Sequence, residues 1–129
     1  MNHLHLILKA KGNNLTCDVE SHENWIKQLV SDLNMKLLKT KQGVNPISAF
    51  CDKKGNEGIT VACVIETSHI VLHTWTVKNE IQLDVYTCGK LDVDLILTSL
   101  HRWDVYDVQY KIFDRKYDLV ETGDLECQN

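Results

Sequence analysis

The sequence predicts an α+β fold: a two-layer sandwich with two helices on one face of a mostly antiparallel sheet. Three observations carry this. Two segments place apolar residues at helical spacing, six show strand-like alternation or density, and the strands follow one another through short connections. Short connections favour antiparallel pairing, and two one-sided helices can cover only one sheet face. The order along the chain is β-α-β-β-β-β-α-β, a single domain over residues 1–129.

The run "HLHLILKAK" (residues 3–11) opens the chain as a strand. Its alternating polar residues, with no small-residue cleavage pattern, do not resemble a secretion signal. Ser21 reads as an N-cap with Glu23 in the first turn, and Ile26, Leu29, Val30, Leu33 and Leu37 then share one face of a helix over 22–39. Strands follow near 45–51, 58–66 and 68–75. In the second of these, Val61, Cys63 and Ile65 alternate with Thr60, Ala62, Val64 and Glu66, so both faces are largely apolar. The face away from the helices is therefore expected to be covered as well, by a second copy of the chain. "EIQLDVYT" (80–87) alternates strictly, with Ile81, Leu83 and Val85 on one side. Asp92 caps a second helix that aligns Val93, Ile96, Leu97, Leu100 and Trp103, and Trp25 and Trp103 read as packing residues. "YDVQYKIF" (106–113) is the last expected strand, with fraying after about residue 116.

Apolar and charged fractions of 43% and 25% are those of a soluble globular domain. A net charge of −4 without a Lys/Arg cluster argues against a nucleic-acid surface, and no apolar run is long enough to span a membrane. The five cysteines are odd in number and form no CxxC pair, which suits a reducing cytoplasm better than a disulfide framework. Cys17, Cys51, Cys63 and Cys127 read as structural or incidental.

One stretch stands apart: "ETSHIVLHTW" (66–75), followed after the return strand by Cys88 and Gly89. If Trp75 faces Glu80 across the turn "TVKN", then Gln82 faces His73, Thr87 faces Ser68 and Cys88 falls opposite Thr67. That register sets a thiol beside the Thr67–Ser68 peptide bond. His73 lies roughly 16 Å further along the same strand, and His69 and His73 lie about 13 Å apart, too far to share one metal ion. No metal site is expected.

"TSHIVLHTW" followed by "LDVYTCG" resembles the bacterial and archaeal S-adenosylmethionine decarboxylase proenzymes. Their signature is a Ser-His start, His-Thr-Trp five residues on, and Asp-Val-Phe/Tyr-Thr-Cys-Gly ending the return strand. The match is specific over the central thirty or so residues and architectural elsewhere. The resemblance implies a chain that cuts itself between Thr67 and Ser68, giving a β chain, 1–67, and an α chain, 68–129. Ser68 becomes a pyruvoyl cofactor whose carbonyl forms a Schiff base with an amino-acid-type substrate. It also implies that His73 and the Thr60 hydroxyl assist processing and that Cys88 is the general acid. Active sites are implied at a homodimer interface, where Ser68 and Cys88 of one protomer meet Thr60 and His73 of the other.

Substrate contacts are implied at Phe50, Glu66, Trp75 and Glu80. From the residues alone Phe50 reads first as core, with stacking on an adenine as the alternative. The resemblance breaks where the family has Pro-Glu after His-Thr-Trp, because this chain has Thr76 and Val77, and Val77 cannot grip a ribose diol. Two alternatives follow: the same machinery acting on L-ornithine or L-arginine, or a non-catalytic homologue that regulates an active decarboxylase.

Overall fold

Period-two alternation builds one seven-stranded sheet onto which two helices pack. The computed structural model describes residues 2–128, with side chains through residue 124. The strands are β1 (Leu4–Gly12), β2 (Ile47–Cys51), β3 (Gly58–Ile65), β4 (Ser68–Trp75), β5 (Glu80–Thr87), β6 (Val105–Asp114) and β7 (Val120–Gln128). Helix α1 spans Val19–Asp32, and α2 spans Val93–Ser99 and runs into a 3₁₀ turn at Leu100–Trp103. Sheet order is β2-β3-β4-β5-β1-β6-β7, and every neighbouring pair is antiparallel.

The inward residues form one core. Leu6 and Leu8, Val61 and Cys63, Ile70 and Leu72, and Ile81, Leu83 and Val85 meet Trp25, Ile26 and Leu29 of α1, with Ile96, Leu100 and Trp103 beside them. Each such aliphatic side chain contributes about 1.5–3 kcal/mol on burial. Burial pushes the Cys63 thiol up to about 11, which leaves it an apolar filler. The opposite sheet face carries exposed Ile7, Ile47 and Val64.

The expected helix over 22–39 is corrected at both ends. Asp18 is the N-cap, its carboxylate accepting from the Glu20 N–H at 3.0 Å, while Ser21 lies inside the first turn and donates to the Asp18 carbonyl. The helix stops at Asp32 because Asn34 takes a left-handed φ of 59°, which asparagine tolerates. Leu37 then leaves the helical path and bridges Ile65. Fraying after residue 116 is likewise overturned: β7 pairs with β6 and satisfies its otherwise open edge. Phe50 is not core, being 51% exposed on the outermost strand, where a neighbour lies on one side only. The cap at Asp92 is as expected, accepting from Leu95 N–H at 3.1 Å.

His22 pins these layers together. Its Nδ1 lies 2.8 Å from the Asp18 carbonyl, its Nε2 lies 2.8 Å from Thr74 Oγ1 on β4, and its ring packs 5.2 Å from that of Trp103. The Asp18 carbonyl can only accept, so Nδ1 carries the proton and the Thr74 hydroxyl donates to Nε2. Desolvation pushes the His22 pKa below its ordinary value of 6.5. The unfolded chain therefore binds a proton near pH 6.5 that the folded chain refuses, so stability is full above that pH and declines as pH falls below it. Melting curves from pH 8 to 5 are expected to show that loss. His22→Gln should lower stability at pH 8 by about 1–3 kcal/mol and flatten the slope; an unchanged slope would show that His22 is not its source.

Candidate active site

The β4–β5 hairpin builds the site. Trp75 pairs with Glu80, His73 with Gln82 and His69 with Tyr86, the register expected from the turn. Asn79 closes that turn with a left-handed φ of 51°. Cys88, one residue past β5, consequently returns to the Thr67–Ser68 peptide. Its thiol donates to the Thr67 carbonyl oxygen at 3.1 Å, and its backbone N–H donates to Ser68 Oγ at 3.1 Å. Thr67 itself has φ 47°, a left-handed conformation that a β-branched residue adopts only under constraint. A donor aimed at a carbonyl oxygen can stabilise charge that develops there under nucleophilic attack, and the Ser68 hydroxyl is the neighbouring group of nucleophilic type. A cleft of about 600 Å³ opens beside this peptide, lined among others by Lys36, Lys39, Glu66, Ser68 and Cys88.

A second group sits at the far end of the β3–β4 hairpin, on the face away from the helices. Thr60 and His73 are cross-strand partners with Oγ1 and Nδ1 2.8 Å apart. The His73 ring stacks on Trp75 at 5.8 Å, and Trp75 donates from Nε1 to Asn56 Oδ1 at 2.9 Å. Gly58 keeps this corner closed, because a Cβ there would run into the Thr74 carbonyl oxygen. Glu80, opposite Trp75, lies 3.7 Å from Lys9 and 3.8 Å from Lys11 and accepts from Gln82. Five residues of strand separate His73 from Ser68, roughly 16 Å. Within one chain the structure thus gathers Ser68, Cys88 and Glu66 at one place and Thr60, His73, Trp75 and Glu80 at another. Phe50 stands apart from both, pairing with Ile59 at the sheet edge.

Sequence reasoning missed the far side of Cys88. His3 Nδ1 and Tyr86 Oη lie 2.9 Å apart, and Cys88 Sγ is 3.7 Å from the first and 3.8 Å from the second. Arg115 donates from its backbone N–H to the His3 carbonyl at 2.7 Å and holds its guanidinium 4.7 Å above the Tyr86 ring. Hydrogen bonding to Cys88, with some desolvation, raises the Tyr86 pKa, so its hydroxyl stays protonated. No local signal announces His3, whose place depends on β1 pairing with β5, Leu4 against Thr87.

A family model described as S-adenosylmethionine decarboxylase matches residues 4–116. The S-adenosylmethionine decarboxylase proenzyme of Sulfurisphaera tokodaii is 34% identical over 77 residues, 60% of this chain and 55% of that protein. The arginine decarboxylase proenzyme of Caldivirga maquilingensis is 36% identical over 59 residues, 46% of this chain and 38% of that protein. The chain thus spans about half or less of the length of these curated relatives.

Left-handed backbone at Thr67 costs about 1–2 kcal/mol that glycine would not incur. In a Ser68→Ala background, which removes the neighbouring hydroxyl, Thr67→Gly is expected to stabilise by up to about 1 kcal/mol after the added flexibility of the unfolded chain is offset. Urea unfolding reads this directly, and a destabilised double variant would show that Thr67 holds no strain.

Proposed function

The chain belongs to the S-adenosylmethionine decarboxylase family, and on that premise we propose that it is a self-processing, pyruvoyl-dependent decarboxylase. The observation that carries this is the pair of contacts from Cys88 onto the Thr67–Ser68 peptide. Ser68 Oγ attacks the Thr67 carbonyl carbon while the thiol supports the oxygen. The C–N bond breaks, the freed nitrogen takes the hydroxyl proton, and an ester replaces the amide. Removal of the Ser68 α-proton breaks the Cβ–O bond and releases Thr67 as a carboxylate; water then displaces ammonia. The pyruvoyl group so formed at residue 68 supplies the electron sink that decarboxylation of an α-amino acid requires. Cys88, already at that position, returns a proton to the substrate carbon after carbon dioxide leaves.

The His73 imidazole is the natural proton carrier for processing, yet it lies on the same strand as Ser68, roughly 16 Å off. A two-fold partner resolves this by presenting its own copies of the Thr60–His73 pair to Ser68. Exposed Ile7, Ile47 and Val64 on the open sheet face support a homodimer joined there.

S-adenosylmethionine is the substrate we propose first, its decarboxylated product serving as an aminopropyl donor for polyamine synthesis. L-arginine or L-ornithine is the second reading, and a specific observation favours it. Val77, 62% exposed, stands where the family pattern has its ribose-gripping glutamate, and the nearby Glu80 carboxylate is already engaged by Lys9 and Lys11. An unpaired ribose diol in a closed site costs about 1–3 kcal/mol.

Intact mass under denaturing conditions should show pieces 1–67 and 68–129, the latter blocked by a carbonyl that reacts with hydrazine. Ser68→Ala should remain one chain. Cys88→Ala should reduce decarboxylation about 100-fold or more in an assay of carbon dioxide release from S-adenosylmethionine, arginine and ornithine in turn. A wild-type chain that stays whole on long incubation would overturn the proposal in favour of a regulatory homologue.

A further inference from the structure

Cys88 gives up its proton at every turnover in the proposed reaction, so a route must restore it. We propose that His3 and Tyr86 are positioning residues that hold the Cys88 sulfur and return its proton from solvent. This rests on the reading of Cys88 as the proton donor. Cys88 Sγ and Tyr86 Oη, from the end of β5, and His3 Nδ1, from the start of the chain, close a triangle with sides of 2.9, 3.7 and 3.8 Å. Contacts outside the triangle hold its corners in place. Asn2 N–H donates to the Cys88 carbonyl at 3.1 Å, fixing the end of β1 against the cysteine. Arg115 binds the His3 main chain and covers the Tyr86 ring, whose edge and other contacts are to His5 and His69.

The transfer balances without any outside reagent. As the S–H bond breaks, a C–H bond forms on the substrate and leaves a thiolate. That thiolate takes the Tyr86 O–H proton while the Tyr86 oxygen takes a proton from His3 Nδ1, and His3, half-buried at the surface, takes one from solvent on Nε2 in the same step so that its ring stays neutral; this solvent proton is the one that decarboxylation consumes. The Tyr86 hydroxyl and the His3 ring nitrogen are hydrogen-bond donors within reach of the sulfur once its proton has gone.

The test is the pH profile of Cys88 alkylation by iodoacetamide on the purified full chain, read by peptide mass mapping that separates Cys88 from Cys17 and Cys51. His3→Ala and Tyr86→Phe are each expected to raise the alkylation midpoint by half a pH unit or more. Both should also lower kcat about tenfold with KM changed less than twofold. Tyr86→Phe keeps the ring under Arg115, so it reports even if His3→Ala perturbs the end of β1. A midpoint unmoved in either variant overturns the proposal, whatever happens to turnover. A chain that never cleaves would defeat the decarboxylase reading yet leave the alkylation profile measurable, so the two failures are separable.

Discussion

The register of the β4–β5 hairpin is the constraint on which the rest depends. Side chains alternate with period two, so slipping this pairing by one residue would turn either Ile70 and Leu72 or Leu83 and Val85 outward, and in the first case drive His69, Val71 and His73 into the core. All four aliphatic residues are essentially inaccessible to water. Their burial therefore enforces the register, and the register delivers Cys88 to the Thr67–Ser68 peptide. The geometry at one end of the hairpin is held by packing energy spread along its whole length rather than by contacts at that end alone.

The two sheet faces divide the labour. One is a dry core sealed by the helices, with His22 as an imidazole cross-brace between α1 and β4. The other carries two polar groups: Thr60 with His73 near one end, and Cys88 with Tyr86 and His3 near the other. The separation of the two groups is a fixed property of β4, since a straight strand cannot fold back on itself.

Legibility in the sequence followed the range of the interaction. The hairpin register could be read because a four-residue turn sits between two strictly patterned strands, and Asp92 could be read as a cap because its partner is three residues away. Helix α1 misled because Leu33 and Leu37 extend the apolar spacing past Asn34, and a left-handed asparagine leaves no mark on that pattern. Strand β7 was hidden for the opposite reason: an edge strand needs backbone pairing more than an apolar face, and "LVETGDLECQ" offers little of the latter. Phe50 looked like core by residue type, and only the strand order reveals that β2 has nothing beyond it. His3 was invisible because β1 reaches β5 across some seventy residues of intervening chain, a pairing that no turn specifies.

Strand order also governs what a break after Thr67 would do to the molecule. β1 lies between β5 and β6, and β3 lies against β4, so strands from before and after the break alternate across the sheet. Neither fragment would retain a contiguous half of the sheet, and the two would remain interdigitated with no covalent link between them. Folding, unimolecular while the chain is whole, would thereafter become a bimolecular encounter whose equilibrium falls with dilution. The native state would be assembled once, before maturation, and afterwards persist by the slowness of its unfolding rather than by its capacity to refold.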